Sequence, residues 1–324
     1  METSVVQNAI VNVNGQIISS AEAKVSVFDR SYLYGDSLYE VVRTYDGKFF
    51  GVDEHLERLE ASAKLCHMTL GQDRKTYIRE IDRTFEAFRK THKGTEAYCR
   101  LVVSRGVGKI GFGLNCLTTP TQYTIIVQPL ELPSPEQFEK GYKLKVVDRI
   151  RNDKRALDPA MKSGNYLNSL LAYLEATSAP VTGSKAKSAM LWKLDGYNDA
   201  LLANADGHIT EGTTFNIGYI KRGIFVTPPL DIGILDGITR RFLIKMAREM
   251  GMEVREVRFP KERLYEADEV FWMSSIREAF PVTQVDDHVI GNGSLKGKPG
   301  PITQKLSQTF KEFAAARTSI RSAS

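Results

Sequence analysis

Three prolines fall within nine residues of this chain, in the segment PLELPSPEQ at 129–137. Proline fixes its own φ, donates no backbone N–H and restricts the residue before it, so this segment continues neither a strand nor a helix. With 324 residues the chain is long enough for two cores. We therefore predict an N-terminal domain over residues 1–128, an interdomain linker over 129–137 and a C-terminal domain over 138–324.

The N-terminal part combines hairpins with helices. Asn14-Gly15 and Asp46-Gly47 each separate two β-prone runs, which is the strongest short signal for a hairpin. One helix is predicted to begin at Asp53 as its N-cap, and a second carries Ile78, Ile81 and Phe85 at helical spacing. This pattern predicts an α+β domain.

The C-terminal part alternates strands and helices, which predicts a mixed α/β domain and an α/β fold class overall. One of its predicted strands is AMLWKLD, at 189–195. A helix is predicted from about Tyr166, and leucines at helical spacing predict its buried face. These leucines are Leu167, Leu170, Leu171 and Leu174.

Composition excludes several classes of protein. The chain is 42% apolar and 26% charged, as globular proteins are, and its net charge of +5 is spread among acidic residues rather than gathered in a stripe that would bind nucleic acid. No run of 18 apolar residues and no basic, apolar leader is present. The three cysteines share no metal-ligand spacing. We expect a cytoplasmic protein that binds no nucleic acid, no membrane and no metal.

Lys162 and Glu211 are the first candidates for chemistry. Lys162 precedes the leucine-rich helix and stands beside Gly164, where solvation is poor. Burial lowers the pKa of a lysine, and the neutral amine is the form that Schiff-base chemistry requires. Glu211 lies at a turn before a strand, and a carboxylate there could keep a pyridine nitrogen protonated.

Two further segments suit a phosphate. Asp236-Gly237 precedes a helix, and a helix N-terminus offers free N–H groups and a positive dipole end. Gly237 allows a close approach of the backbone, and Thr239 adds a hydroxyl. A predicted buried strand ends in Ser274 and Ser275, which can donate two more hydrogen bonds.

The order of these residues resembles that of the class IV (fold-type IV) pyridoxal 5'-phosphate (PLP) aminotransferases. The likeness runs from about Val11 to Phe310, and its landmarks are FDRSYLYGDSLYEVVR, HLERLEASA, MKSGNYLNSLL, ITEGTTFN, ILDGITR, SSIREAFPV and GKPGPIT. The resemblance implies a D-amino acid aminotransferase-like fold, PLP as the cofactor, and a homodimer or higher homo-oligomer. In that family, the first domain of one subunit closes the site of the other.

The resemblance also implies roles. Lys162 looks like the Schiff-base lysine that shuttles the proton, Glu211 like the partner of the pyridine nitrogen, and Tyr166 like the neighbour of the phenolic oxygen. Leu235 would pack against the ring, and arginines would bind the phosphate or lie upstream of the lysine. The implied cofactor-binding residues are Arg58, Arg151, Lys162, Tyr166, Glu211, Leu235, Gly237, Ile238, Thr239, Ser274 and Ser275.

Substrate residues follow from the same likeness. Tyr98-Cys99-Arg100 resembles the Tyr-x-Arg of branched-chain enzymes, in which the arginine meets the distal carboxylate of glutamate or 2-oxoglutarate. Tyr34 and Tyr39 would wall an apolar side-chain pocket, and ordinary core packing is the alternative for these two residues and for Tyr98. The backbone near Ile276 would receive the α-carboxylate. The predicted reaction is transfer of the amino group of an apolar, branched-chain-type amino acid to 2-oxoglutarate by ping-pong kinetics.

Several alternatives remain open at this point. The segment SRGVGKIGF is similar to that of an aminodeoxychorismate lyase, and GDSLYEVVR is similar to both the lyases and the D-amino acid enzymes. A D-amino acid or (R)-amine transaminase of the same fold is thus another alternative, although Arg105-Gly106 is followed by VGKIGFG rather than by an Arg-x-His carboxylate trap. A non-catalytic PLP-binding protein is a third. Arg277 stands where branched-chain enzymes carry a small residue, and its role and that of Arg105 are undetermined.

Overall fold

The structure, a computed structural model, describes residues 8–180, 192–194 and 196–320. The predicted strand at 189–195 therefore lies outside the described residues except for Trp192–Leu194. The chain forms two compact units. The first consists of Met1–Glu131, Met161–Asn165 and Phe313–Ser324, and the second of Leu132–Ala160 and Tyr166–Glu312.

The first unit is built on a six-stranded antiparallel sheet with the order β2-β1-β6-β5-β3-β4. Both predicted hairpins are present, since Asn14 and Asp46 adopt the positive φ angles that such turns require. The strands are β1 Ile10–Val13, β2 Gln16–Ser19, β3 Ser37–Tyr45, β4 Lys48–Phe49, β5 Ala97–Ser104 and β6 Gln122–Pro129.

Two long helices pack on this sheet and form its core. The helices of the unit are α1 Arg30–Tyr34, α2 Val52–Leu65 and α3 Arg74–Thr91, with a 3-10 turn at Leu114–Cys116. The predicted N-cap of α2 is wrong by two residues. Gly51 is the N-cap, with φ at 67°, and Asp53 lies in the first turn, where its charge still suits the helix dipole.

The second unit carries a nine-stranded mixed sheet with the order β11-β10-β7-β16-β15-β12-β13-β14, and β17 pairs with β16. Parallel pairing joins β7 to β10 and to β16, and β13 to β14. The strands of this sheet are β7 Tyr142–Val146, β10 Asp199–Ala203, β11 Ile209–Gly212, β12 Asn216–Lys221, β13 Ile224–Thr227, β14 Val254–Glu256, β15 Glu269–Ser274, β16 Glu278–Val285 and β17 His288–Val289. β8 Ser178–Pro180 and β9 Trp192–Leu194 form a separate antiparallel pair.

The helices of the later part of the chain differ widely in length. They are α4 Pro135–Lys140, α5 Leu167–Thr177, α6 Ile238–Glu249, α7 Glu262–Tyr265 and α8 Pro301–Ile320, with 3-10 turns at Leu230–Ile232 and Gly293–Leu295. The mixture of an antiparallel α+β unit and a mixed α/β unit confirms the predicted fold class. In the part of the chain that the structure covers, no helix combines the length and the apolar character needed to span a membrane.

The units differ from the predicted domains in two ways. The first passage between units falls between Glu131 and Leu132, inside the predicted linker, but α4 begins within that linker because Ser134 caps it in a capping box with Gln137. Two later segments, Met161–Asn165 and Phe313–Ser324, belong to the first unit although the sequence placed them in the C-terminal domain. Met161–Asn165 belongs to the first unit because its backbone is hydrogen-bonded to β3.

Candidate active site

The segment that carries Lys162 is an extra edge of the first unit's sheet. The backbone N–H of Tyr39 donates to the carbonyl of Lys162 at 3.0 Å, and that of Gly164 donates to the carbonyl of Ser37 at 2.7 Å. β4 pairs with the far end of β3, so the start of β3 has an edge that this segment can occupy. Strand pairing therefore fixes the backbone of Lys162 to β3.

Small residues make this pairing possible. A Cβ at Gly164 would lie 2.2 Å from Ser37 Oγ, so only glycine fits there without displacement. On the other side, the buried hydroxyl of Ser62 in α2 accepts from the backbone N–H of Lys162 at 3.1 Å. The lysine backbone is thus held between a strand and a helix of the same unit.

The amine of Lys162 has a defined partner. Its Nζ donates to the hydroxyl of Tyr39 at 3.1 Å and lies 4.3 Å from the centre of the Tyr39 ring. The guanidinium of Arg100 lies over the same ring, with its Cζ 3.9 Å from the centre. In the β3–β5 register Tyr39, Arg100 and Tyr98 occupy the same face of the sheet. Three of the four substrate residues predicted in this unit therefore share the face that bears the lysine.

The fourth, Tyr34, is placed differently. Its hydroxyl accepts from the N–H of Gly111 at 3.0 Å, and its ring centre lies 5.2 Å from that of Phe112. The same loop is held by Arg30, which donates to the carbonyl of Gly111 at 2.8 Å. Tyr34 thus packs against the loop at 106–117.

Arg105, whose role the sequence left open, is part of the framework. Its Nε donates to Asp36 at 2.7 Å, and its other nitrogens donate to the carbonyls of Cys66 and His67. Burial raises the pKa of Asp36, but Arg105 and Arg30 outweigh it and hold this pKa below its usual value. Arg105 therefore ties the start of β3 to the end of α2.

Arg58 belongs to a buried charged cluster. It donates Nε and Nη2 to the two oxygens of Glu40, at 2.8 and 2.7 Å, and His55 Nδ1 lies 2.7 Å from the same carboxylate. Burial alone would raise the pKa of Glu40, yet Arg58 and His55 bring it well below its usual value. Burial lowers the pKa of His55, against the pull of Glu40. The cluster therefore holds an ionised Glu40, a charged Arg58 and an uncharged His55.

In the second unit, Glu211 is the centre of another buried cluster. Its Oε1 accepts from Arg151 Nε at 3.0 Å, and its Oε2 accepts from Asn216 Nδ2 and from the backbone N–H of Leu235, both at 3.1 Å. Asn168 accepts a longer bond from Arg151, at 3.4 Å. The arginine supplies the charge that a buried carboxylate needs, so Glu211 can present a negative oxygen to a cation.

The N-terminus of α6 is built for close approach. Gly237 is its N-cap, no side chain of the described residues caps the helix, and Ile238 and Thr239 in the first turn are buried. A Cβ at Gly237 would lie 2.0 Å from Asn216 Oδ1. The N–H groups of the first turn are therefore suited to an anion.

The end of β15 provides a hydroxyl in a fixed orientation. Ser274 Oγ accepts from Trp272 Nε1 at 2.8 Å and from the backbone N–H of Arg277 at 3.2 Å. With both interactions made on the oxygen, the hydroxyl proton is left to donate elsewhere. Ser275 and Ile276, both half-buried, form the tight connection to β16 with Arg277.

Arg277 turns back onto its own unit. Its Nε donates to the hydroxyl of Tyr142 at 3.0 Å, and its Cζ lies 5.3 and 5.1 Å from the ring centres of Tyr142 and Trp272. Stacking on two aromatic rings fixes the position of this long side chain. The residue after it, Glu278, is buried and has a φ of 57°, a left-handed conformation that is rare outside glycine.

The predicted leucine face of α5 is wrong as a core face. Leu167 is 66% exposed and Leu170 is 51% exposed, whereas Ala172 and Ala176 are fully buried. The helix turns its small residues to the sheet because β10 and β7 lie close to it. Tyr166 is the N-cap residue of this helix and is half-buried.

Similarity to known proteins identifies the family of this chain. The family model of amino-transferase class IV matches residues 37–182 and 185–285, which is more than half of the chain. The chain belongs to the class IV aminotransferases. It is an enzyme of the transaminase type, as the sequence predicted.

Two relatives of this class IV aminotransferase cover nearly its whole length. A putative branched-chain-amino-acid aminotransferase of Methanocaldococcus jannaschii is 37% identical over 304 residues, 94% of this chain and 96% of the relative. Aminodeoxychorismate lyase of Bacillus subtilis is 29% identical, and the match covers 92% of this chain and 93% of the lyase chain.

A solved structure supports the same family. A branched-chain amino acid aminotransferase from T.th., complexed with N-(5'-phosphopyridoxyl)-L-glutamate, has a TM-score of 0.78 and 27% identity to this chain. The match covers 95% of this chain and 94% of that one. The similarity thus extends over both units of the fold.

Sequence reasoning missed several polar residues of the two clusters. Asn216 bridges Glu211 and the carbonyl of Leu235, and Glu40 and His55 hold Arg58. For Asn216 a signal existed, since it is the last residue of the landmark ITEGTTFN. In the described part of the chain, no group of three or more His, Cys, Asp or Glu residues could hold a metal ion.

Proposed function

We propose that the protein is a PLP-dependent transaminase that moves the amino group of an apolar, branched-chain-type amino acid to 2-oxoglutarate. The observation that carries the proposal is the amine of Lys162, fixed at 3.1 Å on Tyr39 within a sheet face that also bears Arg100. When bound, PLP withdraws electrons from the substrate carbon through its protonated pyridine ring. The amino group would stay with the cofactor between the two half-reactions, so the first keto acid leaves before 2-oxoglutarate binds and the kinetics are ping-pong.

The residues present fit this cofactor. We propose that Lys162 Nζ would hold the aldehyde carbon of the cofactor, with loss of water, and that its amine, once displaced by the substrate amine, would take the proton from the substrate α-carbon and return it. Glu211, charged beside Arg151, suits a protonated ring nitrogen, and Leu235 and Tyr166 are assigned to the ring. The first turn of α6 suits the phosphate, and so do the hydroxyls of Ser274, Ser275 and Thr239.

Arg58 is proposed as a further phosphate ligand. A guanidinium carries five N–H donors, and the pairing with Glu40 uses two of its nitrogens. Because both oxygens of Glu40 bind it, the guanidinium is held in one orientation before any anion arrives. We assign to Glu40 and His55 the task of positioning Arg58.

Substrate recognition is proposed for the sheet face of the first unit. Arg100 supplies a cation for the distal carboxylate of 2-oxoglutarate, and Tyr98 lies two positions before it on the same face. Tyr39 adds aromatic surface on this face, Tyr34 is proposed to contribute to the side-chain pocket from α1, and the backbone near Ile276 is assigned to the α-carboxylate.

The test is a donor and acceptor panel on the purified protein with PLP. L- and D-amino acids and a primary amine are assayed with 2-oxoglutarate and with pyruvate. We expect glutamate from L-leucine and 2-oxoglutarate, and no turnover with Lys162→Ala. Lys64→Ala, an exposed lysine of α2, is the matched control and should keep full activity. Normal turnover by Lys162→Ala would contradict the proposal.

A second candidate is a lyase of the aminodeoxychorismate type. The Bacillus subtilis lyase matches along almost the whole chain, at 29% identity. This candidate predicts pyruvate from aminodeoxychorismate and no glutamate from leucine. A D-specific or (R)-amine transaminase predicts instead that the D-amino acids or the amine of the panel react.

We also propose that the protein acts as a homodimer or higher homo-oligomer in the cytoplasm. Two apolar surfaces of the single chain support the assembly. One, the leucine face, consists of Leu167, Leu170, Leu171 and Leu174 of α5; the other, the loop surface, consists of Phe28, Tyr32, Ile110, Phe112 and Leu114. Phe112 is 80% exposed, and several exposed apolar side chains on one loop favour an interaction site. The three free cysteines suit a reducing compartment.

A further inference from the structure

We propose that Tyr39 is a positioning residue for Lys162, whose hydroxyl orients the amine and sets its proton affinity, while its ring orients Arg100. The inference rests on the proposed function, because Lys162 is the amine assigned to the reaction there. The inference gives Tyr39 a role beyond lining the side-chain pocket, because its hydroxyl would orient the Lys162 amine.

The two residues are joined twice. The Tyr39 N–H donates to the Lys162 carbonyl at 3.0 Å, and the Lys162 Nζ reaches the Tyr39 hydroxyl at 3.1 Å. Tyr39 is 4% exposed, so its hydroxyl has little access to water. Because the backbone bond fixes the two Cα positions relative to each other, the hydroxyl lies within reach of the amine.

A hydroxyl suits an amine in either protonation state. It accepts from an ammonium and can donate to a neutral amine. The bond to the ammonium is the stronger of the two, because a charged donor takes part in it. The hydroxyl therefore favours the protonated amine, and removal of the hydroxyl should make the amine less basic.

Other charged groups act on the same amine. Arg100 lies over the Tyr39 ring from β5, and His55 of α2 interacts electrostatically with Lys162. Glu40 and Arg58 form an ion pair beside His55. A positive charge near the amine disfavours its protonated form, so the hydroxyl acts against Arg100, whereas Glu40 offsets the charge of Arg58.

The ring has a separate task. Arg100 Cζ lies 3.9 Å from the ring centre, within the range of a cation–π contact. Phenylalanine at position 39 would keep this contact and lose the hydroxyl, and leucine would lose both. Tyr39→Phe therefore tests the hydroxyl alone, and Tyr39→Leu also removes the ring that contacts both Arg100 and Lys162.

Tyr45 provides a matched control. It lies on the same face of β3, is buried, and has an arginine, Arg43, with its Cζ 4.1 Å from the ring centre. Tyr45→Phe thus removes a phenolic oxygen from the same strand. The oxygen belongs to a ring that, like that of Tyr39, lies against an arginine. It should leave the lysine unaffected.

The experiment labels the protein without cofactor with acetic anhydride between about pH 6 and 10. Acetylation of Lys162 is followed by mass spectrometry of its peptide. In Tyr39→Phe we expect the labelling profile to move to lower pH, with about fivefold faster labelling at pH 8, because the charged hydrogen bond is lost. Tyr45→Phe should match the wild type. An unchanged profile in Tyr39→Phe would overturn the proposal.

Kinetics with PLP provide a second readout. Tyr39→Phe should lower kcat about tenfold and shift its pH profile, with KM for leucine and 2-oxoglutarate within about twofold of the wild type. Tyr39→Leu should in addition raise KM for 2-oxoglutarate. Equal KM effects in both variants would contradict the separate role of the ring. Normal turnover by Lys162→Ala would instead reject the proposed function, whatever the labelling shows.

Discussion

Asp199 shows how burial acts on a single charge. It lies buried at the start of β10, where its Oδ1 accepts from the Thr213 hydroxyl and the Ala200 N–H, both at 2.7 Å. Burial raises the pKa of Asp199 from 3.8 to about 6, although these hydrogen bonds and the charge of Arg277 lower it. The carboxyl therefore stabilises the fold in its protonated form.

A pH-dependent stability follows from this raised pKa. The stabilisation is fully present below about pH 4, the unfolded pKa, and is lost as pH rises through about 6. The asparagine of Asp199→Asn stays neutral at every pH. The free energy of unfolding of this variant should therefore rise relative to that of the wild type between about pH 4 and 7.5, by up to about 3 kcal/mol. Urea unfolding at both pH values measures the difference. Asp206→Asn, on an exposed aspartate, is the control, and an equal gain there would refute the assignment.

Arg100 gives a second prediction for a single residue. Its guanidinium is the cation proposed for the distal carboxylate, a group that 2-oxoglutarate has and leucine lacks. Arg100→Ala should therefore raise KM for 2-oxoglutarate by about tenfold and KM for leucine much less, because a charged hydrogen bond is lost for one substrate only. Arg79→Ala, on an exposed arginine of α3, should change neither constant. Equal losses for both substrates would show that the assignment of Arg100 is wrong.

Single residues also mark what the sequence could reveal. Lys162 and Glu211 could be proposed because motifs surround them. Glu40 and His55 also lie in such motifs, FDRSYLYGDSLYEVVR and HLERLEASA, but the sequence does not show that they contact Arg58. Arg277 was recognised as a departure, but its direction was not predictable, since stacking on Tyr142 and Trp272 depends on two distant strands. Contacts between positions far apart in sequence are the part that pattern reasoning could not supply.

At the scale of elements, the sequence pattern predicted whether a segment is a helix or a strand better than it predicted which face of that element is buried. The hairpins at Asn14 and Asp46 formed as expected because their turn residues are local signals. The direction in which α5 faces was wrong, because the spacing of its leucines identifies an apolar face but not the surface that covers it. The placement of Met161–Asn165 against β3 was likewise beyond a linear reading.

Pairing of this segment with β3 gives an element-scale prediction. Gly164→Ala should displace the segment Met161–Asn165, because the new Cβ would lie 2.2 Å from Ser37 Oγ, and transaminase activity should fall at least about tenfold. Ser37→Ala removes that oxygen and should restore much of the activity in the double variant. Ser37→Ala alone serves as the control. Failure of the double variant to recover would mean that the clash with Ser37 is not the cause.

At the scale of the whole molecule, the apolar surfaces matter most. A surface that is buried in an assembly tolerates leucine and phenylalanine there, whereas a free monomer with the same surfaces would tend to aggregate. The leucine face and the loop surface belong to different units of the chain, so each can be tested by itself.

The mass of the protein in solution tests the assembly. Light scattering should give at least about twice the 36.3 kDa of one chain. Leu170→Glu and Ile110→Glu should each lower that mass, since a carboxylate is costly to bury at an interface. Val289→Glu, at an exposed apolar residue outside both surfaces, should not. A wild-type mass of a single chain would exclude the oligomer.

The pairing of Met161–Asn165 with β3 has a consequence for biosynthesis. β3 leaves the ribosome long before residue 162 is translated, so its open edge must wait for a partner from the other side of the linker. Unpaired edges invite wrong pairing, and a chaperone or a neighbouring nascent chain has that interval in which to bind. The amine proposed to react, that of Lys162, is thus in place only when the N-terminal sheet is completed by a later part of the chain.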